Sequence, residues 1–187
     1  LDVNHDVAVC YSYHHKVLSI LTRLASNNTI LFMHTDLINS RTKEEIDRLN
    51  KKVEFEDFKA IVCVSEAAKN SMLKLYPEYK GHIIVANNYI DGEKILKLAD
   101  EEKIEKEKVT CFINVSRHYE KAKKITRIID ASKRLKDEGY NFKVWLVGDG
   151  EDTQEYINKI KECNLEDIVL LKGRQTNPYK FIKASDA

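Results

Sequence analysis

Four basic side chains follow an apolar segment so closely that together they can bind an anion. Residues 109–115 are short, apolar and rich in β-branched side chains, which is typical of a strand buried on both faces. The next nine residues contain Arg117, Lys121, Lys123 and Lys124. Arginine binds phosphate through two parallel hydrogen bonds, and lysine adds a point charge. A predicted helix starts at the end of this loop, and the free N–H groups of a helix start also favour an anion.

The charges of this loop fit two interpretations. One is a phosphate site, and the other is a solvated basic helix, which charge alone favours because lysine and arginine continue along the helix that follows.

A second candidate is the turn Gly148-Asp149-Gly150, which follows the apolar segment 142–147. A dinucleotide-binding fingerprint, G-x-G-x-x-G, would need its last glycine at position 153, where this chain has Thr153. The sequence therefore favours a tight turn beside a ligand over a pyrophosphate cradle.

The remaining candidates are single polar residues. His34 ends the predicted strand 29–34 and is either a pocket residue or a polar loop residue. His14 and His15 have no third ligand at a metal-site spacing, so no metal site is predicted. Three single carboxylates have no identifiable partner and do not support a two-carboxylate hydrolase: Asp36, Glu66 and Asp91.

The elements that must position these residues alternate between strand and helix. The predicted strands are 6–10, 29–34, 60–64, 82–86, 109–115, 142–147 and 167–172. The predicted helices are 17–24, 42–55, 66–76, 124–138, 153–163 and 178–184. Helix starts are indicated by Ser65, by Asn177-Pro178 and by two capping boxes, Thr42 with Glu45 and Asp152 with Glu155, while Gly139 indicates a helix end.

This alternation predicts an α/β fold with two Rossmann-like parallel-sheet halves. Ligands bind beyond the carboxyl ends of the strands in such sheets, and the candidate loops lie at those positions. Residues 92–108 are dense in glutamate and lysine and are interpreted as a solvated helix and linker. The predicted domains are therefore 1–91 and 109–187, joined by 92–108.

Composition narrows the class of protein. The 187 residues are 43% hydrophobic and 33% charged, with a formal net charge of +1. These values are ordinary for a soluble globular protein and argue against a general nucleic-acid binder. No apolar run approaches the ~20 residues that span a bilayer. The four cysteines form no CxxC pair, and three lie in strand-like runs, which predicts buried thiols in a reducing cytoplasm.

Taken in order, these segments resemble the GT-B retaining glycosyltransferases called family 4, or group 1. In the second half the resemblance rests on 115–117 with Lys123, and on 128–131, 144–150, 169–173, 177–179 and 184–187. In the first half it rests on 32–34, 62–66 and 88–91, which are similar to the acceptor-side strands and the crossing to the second domain. Residues 1–91 would then be the later part of the acceptor domain, and 109–187 the first part of the donor domain.

The resemblance implies transfer of a sugar from a UDP- or GDP-sugar to an acceptor hydroxyl, with retained configuration and no metal cofactor. Arg117 and Lys123 would neutralise the departing diphosphate. The family's usual Lys-Gly is Lys123-Lys124 here, so Lys121 or Lys124 is the alternative phosphate partner. His34 would face the donor sugar or the acceptor.

The resemblance also implies that the nucleotide lies against Gly148 and Gly150, with Gly173 and Arg174 near the base. The paired glutamates of the family would follow Ala187, and the start of the acceptor domain would precede Leu1. We therefore expect these 187 residues alone to be inactive and to bind donor weakly.

The expected partners are a nucleotide-sugar and a glycan or lipid-linked acceptor, without nucleic acid. The high content of lysine, isoleucine and asparagine suggests a low-GC bacterial source. Together with the resemblance, it suggests a cytoplasmic enzyme of surface polysaccharide synthesis that associates peripherally with the inner face of the membrane. Two alternatives stay open: a nucleotide- or anion-binding module without transferase chemistry, and a nucleotide-sugar epimerase of the same fold.

Overall fold

The structure is a computed structural model that describes residues 5–11, 16–50 and 54–187, without the side chains of 16–19. Residues 51–53, within the predicted helix 42–55, lie outside the described residues. The two histidines at 14 and 15 also lie outside them. The chain divides into two compact units, Leu1–Ile90 and Asp91–Ala187. Each contains a parallel sheet, of four and three strands respectively, so the predicted α/β class with two parallel sheets is confirmed.

The first unit is a four-stranded sheet with helices between its strands. The strands are β1 (Ala8–Cys10), β2 (Thr29–Met33), β3 (Ala60–Cys63) and β4 (Ile83–Val85). The helices are α1 (Lys16–Ala25), α2 (Leu37–Ser40), α3 (Lys43–Asn50) and α4 (Glu66–Leu75). Two 3₁₀ turns, Phe55–Asp57 and Pro77–His82, complete the unit.

Local side-chain bonds start these helices where the sequence predicted. The Thr42 N–H donates to Glu45 at 3.0 Å and the Glu45 N–H donates to the Thr42 hydroxyl at 3.3 Å, which confirms this capping box. The Ser65 hydroxyl accepts from the N–H of Ala68 at 3.1 Å and caps α4. The carboxylates of Asp36 and Asp91 are also caps, of α2 and of the helix that follows Asp91.

The predicted helix 42–55 is too long. Residues 51–53 lie outside the described residues, but Glu54 is not helical and Phe55 begins a 3₁₀ turn. The Phe55 ring is buried against Tyr76 and Tyr79, with ring centroids 4.8 and 5.9 Å away. Tertiary packing of this ring therefore overrides the helical pattern of the segment.

Strands β1 to β4 are neighbours in chain order, and every pair is parallel. Crossovers between parallel strands are right-handed. Because each new strand is added on the same side of the previous one, the connecting helices lie on one face of the sheet. The buried core includes Leu31, Met33, Ile61 and Met72. Side chains at β1 point alternately into the core and away from it. Val9, and Val7 just before the strand, are about half exposed, whereas Cys10 is buried.

The second unit is a three-stranded sheet. Its strands are β5 (Thr110–Val115), β6 (Phe142–Val147) and β7 (Val169–Gly173). Its helices are α5 (Gly92–Asp100), α6 (Glu120–Lys123), α7 (Thr126–Asp137), α8 (Thr153–Glu162) and α9 (Tyr179–Ala184). The predicted strand 142–147 is reproduced to the residue, and α5 lies within the segment 92–108.

Alternate residues of β6 enter two separate apolar clusters. Val144 and Leu146 pack with residues of α7 and α8, whereas Trp145 and Val147 pack with Phe181 of α9. This pattern shows a sheet that is covered on both faces, as a continuous apolar strand predicts.

The order of this sheet reverses at β5. β6 pairs with one edge of β5, while Asp186 and Ala187 bond to the other edge through Cys111 and Ile113. The Asp186 N–H donates to the Cys111 carbonyl at 2.9 Å, and the Ile113 N–H donates to Ala187 at 2.7 Å. Such a reversal is where open α/β sheets bind ligands.

One helix start and one helix cap in this unit differ from their predictions. The helix predicted from 124 begins at Thr126, after the separate short helix α6. The Asp152–Glu155 capping box is wrong, because no side-chain bond caps α8 and the Asp152 carboxylate instead accepts from the Glu120 N–H at 2.7 Å. The predicted helix end is confirmed: Gly139 has φ +82° and the Tyr140 N–H donates to Leu135 at 3.0 Å.

Cys10, Cys63 and Cys111 are buried as predicted. Within the described ranges, no helix has the length and apolar character needed to cross a membrane.

Candidate functional site

A cavity of about 570 Å³ lies beyond the carboxyl ends of β5, β6 and β7. Its walls come from the loops that follow these three strands, at the reversal of strand order described above. The lining residues are Val115, Ser116, Arg117, Val147, Gly148, Asp149, Gly150, Arg174, Gln175 and Pro178. Four of the residues predicted for nucleotide binding therefore share one cavity: Arg117, Gly148, Gly150 and Arg174.

The two glycines of the turn are required by the neighbouring loop. A Cβ atom on Gly148, which has φ +143°, would lie 1.9 Å from the Ser116 carbonyl oxygen. A Cβ on Gly150 would lie 2.2 Å from the carbonyl oxygen of His118. The glycines thus allow the β6 loop to pack directly on the backbone of the β5 loop.

Backbone hydrogen bonds hold these loops together. The His118 N–H donates to the Asp149 carbonyl at 3.0 Å, and the Asp152 N–H donates to the His118 carbonyl at 3.3 Å. The Gly148 N–H donates to the Gly173 carbonyl at 2.9 Å, which links the β6 loop to the end of β7. Gly173 supports the cavity in this way without lining it.

His118 lies beneath the cavity and is only 1% exposed. Its Nδ1 lies 2.9 Å from the Thr153 hydroxyl, and its ring meets that of Tyr156 edge-on at 5.4 Å between centroids. Burial lowers the pKa of His118, although the nearby Asp149 carboxylate opposes the shift. The histidine is therefore neutral at physiological pH and works as a packed, hydrogen-bonded residue.

Asp149 is the acidic residue of the cavity. Its Oδ1 accepts from the Thr153 hydroxyl at 2.8 Å and from the Gly150 N–H at 2.8 Å. The hydrogen bond from Thr153, followed by that from Gly150, lowers the pKa of the Asp149 carboxyl. Asp149 is therefore ionised at neutral pH.

Arg117 is an exposed cation of the cavity. Its side chain is 69% exposed, with one carboxylate contact to Glu151 at 3.5 Å. The guanidinium carbon lies 5.4 Å from the centre of the Tyr119 ring. An exposed ion pair at this distance is weak, so an incoming anion can replace Glu151 at small cost.

The start of the helix that follows the basic loop holds a carboxylate, and the phosphate contact predicted there stays a prediction. The Glu120 carboxylate accepts from the Thr126 N–H at 3.1 Å and from its hydroxyl at 2.6 Å. The N–H groups of Arg127 and Ile128 donate to Lys124 and Ile125. Burial alone would raise the pKa of Glu120, but the bonds from Thr126 outweigh it and lower that pKa. An ionised carboxylate thus occupies the place where a phosphate was predicted.

Lys123 and Lys124 end the short helix α6 and are exposed. Neither lines the cavity. Lys124 has a left-handed backbone, with φ 53° and ψ 40°. Their predicted contact with phosphate stays a prediction.

His34 belongs to the first unit and lies at the carboxyl end of β2. Its Nε2 lies 3.1 Å from the Tyr11 carbonyl oxygen, and its ring stands 4.4 Å from the Tyr11 ring between centroids. Since a carbonyl only accepts, Nε2 carries the hydrogen, and Nδ1 of the neutral ring is an acceptor. The role predicted for His34 stays a prediction.

Sequence reasoning missed three residues of this site: His118, Asp149 and Thr153. Only Asp149 carried a signal, because it lies between the two glycines. His118 follows an exposed arginine in a basic loop, a pattern that does not predict a fully buried ring. In the part of the chain that the structure describes, no three histidine, cysteine or acidic residues are grouped to hold a metal ion.

This arrangement defines a class of protein: two Rossmann-like units with a ligand cavity at the strand ends of the second. It is the GT-B fold, and 96% of the chain superposes on 35% of S. aureus TarM, a structure containing UDP, fondaparinux and alpha-GlcNAc-glycerol, with a TM-score of 0.70 at 16% identity. At that identity the likeness shows the fold.

Residues 96–187 match the sequence model of the family described as "Glycosyl transferases group 1". The match lies within the second unit, Asp91–Ala187. The chain is also 30% identical over 175 residues to an uncharacterized glycosyltransferase of Methanocaldococcus jannaschii, covering 86% of this chain and 42% of the relative.

A second relative is the N-acetylgalactosamine-N,N'-diacetylbacillosaminyl-diphospho-undecaprenol 4-alpha-N-acetylgalactosaminyltransferase of Campylobacter jejuni. It is 38% identical over 95 residues, which cover 51% of this chain and 24% of the relative. The chain thus spans less than half the length of both curated relatives.

Proposed function

We propose that this chain forms part of a retaining glycosyltransferase of family 4, which transfers a hexose-type sugar from a UDP- or GDP-sugar to an acceptor hydroxyl without a metal ion. The cavity at the strand ends of the second unit would hold the nucleotide. The observation that supports this most directly is that an exposed arginine and two glycines converge on one cavity at the reversal of strand order.

The chemistry follows from the charges. As the nucleoside diphosphate departs, negative charge develops on its phosphates while the sugar becomes oxocarbenium-like. Arg117 is exposed and weakly paired, so its guanidinium can bind a phosphate through two hydrogen bonds. Lys123 would add a second cation, with Lys121 or Lys124 as the alternatives. Preorganised charges of this kind each contribute roughly 10²–10³ in rate.

The other predicted residues divide between nucleotide and sugar. Arg174 lines the cavity and would lie near the base with Gly173, while Gly148 and Gly150 would contact the nucleotide through their backbone. His34, in the first unit, would contact the donor sugar or the acceptor through its Nδ1.

The names of similar proteins support the substrate class. TarM was crystallised with UDP, and the Campylobacter relative is named for a diphospho-undecaprenol acceptor. We infer a glycan or polyprenyl-diphosphate-linked acceptor and a place in cell-surface polysaccharide synthesis at the inner face of a bacterial membrane.

Arg117→Ala tests the proposal. Calorimetry with UDP and GDP on the 187-residue chain should show that one nucleotide binds and that Arg117→Ala weakens it at least tenfold, because a charge-assisted contact is lost. In the intact protein, the same change should slow sugar transfer by roughly 10²–10³. NMR of the product should show the anomeric configuration of the donor, and chelation of metal ions should leave the rate unchanged.

Arg127→Ala is the matched control, because Arg127 is an exposed arginine of α7 that does not line this cavity. Equal effects of the two alanines on nucleotide affinity would refute the proposal. Nucleotide binding without transfer would indicate a binding module instead. Conversion of free nucleotide-sugar without an acceptor would indicate an epimerase.

A further inference from the structure

Asp149 lines the cavity and has one carboxylate oxygen that no described residue binds. Its Oδ1 is used twice, by the Thr153 hydroxyl and by the Gly150 N–H, both at 2.8 Å. Its Oδ2 makes no hydrogen bond or ion pair with any residue that the structure describes. An ionised carboxylate has about four acceptor positions, so those of Oδ2 are available to a ligand in the cavity.

The direction of this oxygen is set from below. Thr153 bonds to Oδ1 of Asp149 and also lies 2.9 Å from Nδ1 of the buried His118. The ionised carboxylate and the Gly150 carbonyl, 2.9 Å from the same hydroxyl, can only accept, so the threonine hydrogen is shared between them. The histidine Nδ1–H donates to the threonine oxygen. The bonds to Oδ1 orient the carboxylate, and the bond from the His118 N–H to the Asp149 carbonyl holds its loop.

The charge of Asp149 restricts what it can bind. The cavity also contains the side chains of Arg117 and Arg174, which suit the anionic part of a ligand. A carboxylate repels phosphate and can accept hydrogen bonds only from donors. The donors of a nucleotide-sugar that lie nearest its phosphates are the hydroxyls of its two sugar rings.

We propose that Oδ2 of Asp149 accepts a hydrogen bond from a sugar-ring hydroxyl of the bound ligand, either the ribose or the transferred sugar. Thr153 and His118 are positioning residues that orient this carboxylate. The inference rests on the proposed function, since it takes the ligand of the cavity to be a nucleotide-sugar.

Asp149→Asn is the informative change. Asparagine keeps an Oδ1 for Gly150 and Thr153 and replaces Oδ2 by an amide, so the turn is preserved while the acceptor is lost. Calorimetry on the 187-residue chain would compare UDP, 2′,3′-dideoxy-UDP and UDP-glucose, or the guanosine series with GDP-mannose if GDP is the nucleotide that binds. For the ligand whose hydroxyl is bound, affinity should fall about tenfold, the usual loss for one charge-assisted hydrogen bond.

The three ligands distinguish the two sources of the hydroxyl. If the ribose is bound, Asp149→Asn weakens UDP but leaves dideoxy-UDP unchanged or slightly tighter, because a repelling charge has gone. If the transferred sugar is bound, Asp149→Asn weakens UDP-glucose and spares UDP. A loss of the same size for all three ligands would overturn the proposal.

Thr153→Val and Thr153→Ser test the positioning role. Valine removes the bond to Oδ1 and should reproduce the selective loss for the hydroxyl-bearing ligand, and serine should restore it. A merely structural role would lower affinity for every ligand and the melting temperature together. Glu155→Gln removes a charge from an exposed position on the same helix and should change none of the affinities.

Asp149→Ala is the second variant, in case asparagine still bonds the hydroxyl through its amide. It should show the same selectivity with a larger loss, and an equal loss for deoxy and hydroxyl ligands would again contradict the inference. Failure of the proposed function gives a different result: the wild-type chain binds no nucleotide, or Arg117→Ala has no effect on binding. Since the inference rests on the proposed function, either result would also overturn the hydroxyl contact.

Discussion

At the scale of single residues, Lys124 has the backbone of a position that suits glycine. Its φ of 53° and ψ of 40° lie in the left-handed region, where a Cβ costs roughly 1–2 kcal/mol. This lysine ends α6 and turns the chain toward α7.

We expect Lys124→Gly to be more stable than Lys124→Ala by about 1 kcal/mol, because the two variants differ only in the Cβ that strains this turn. Both remove the lysine charge, so its attraction to Glu120 cancels in the comparison. Urea unfolding followed by circular dichroism measures the difference. An alanine variant as stable as the glycine variant would show that the turn is not strained.

At the scale of elements, the site depends on how closely the loops after β5 and β6 approach each other. Gly150 lies so near His118 that a Cβ would be 2.2 Å from its carbonyl oxygen and 3.0 Å from its nitrogen. Backbone atoms cannot turn aside as a side chain can, so the loops would have to separate.

Gly150→Ala should therefore lower the free energy of unfolding by about 2–3 kcal/mol, the usual cost of overpacking, and should weaken nucleotide binding because the cavity walls move apart. Thermal unfolding and calorimetry measure the two effects. Gly92→Ala is the matched control, since nothing lies within 4 Å of its Cβ position. If both alanines behave alike, the close approach of the loops is not what requires this glycine.

At the scale of the whole molecule, the chain has two units with separate apolar cores. Its single tryptophan, Trp145, is 1% exposed and lies in the second unit. Tryptophan fluorescence therefore reports on the second unit, whereas circular dichroism reports on both. Units with their own cores are able to unfold separately.

Leu31→Ala should destabilise the first unit by about 3 kcal/mol, because Leu31 is fully buried in its core. We expect the circular dichroism transition in urea to shift to lower concentration, while the midpoint of Trp145 fluorescence stays unchanged. Leu146→Ala, in the core of the second unit, is the reciprocal variant and should shift the fluorescence midpoint. Equal shifts of both signals by Leu31→Ala would mean that the units unfold as one.

The sequence by itself determined the alternation of strands and helices, because buried strands and one-faced helices leave local patterns. The strand 142–147, the Thr42–Glu45 capping box and the helix end at Gly139 depend on neighbours in the chain and were predicted correctly. The loop after β5 was identified because basic residues follow an apolar segment.

Tertiary structure alone decided what those loops contain. Asp152 bonds to Glu120, 32 positions away, instead of starting its own helix, and Glu120 in turn occupies the helix start where a phosphate was predicted. His118 is buried because the β6 loop lies over it, which no local pattern records. The contacts of Asp152 and His118 join loops from different strands, and their partners are chosen by which strands become neighbours in the sheet. A linear pattern shows which residues can bond, but only the assembled sheet brings particular ones within reach.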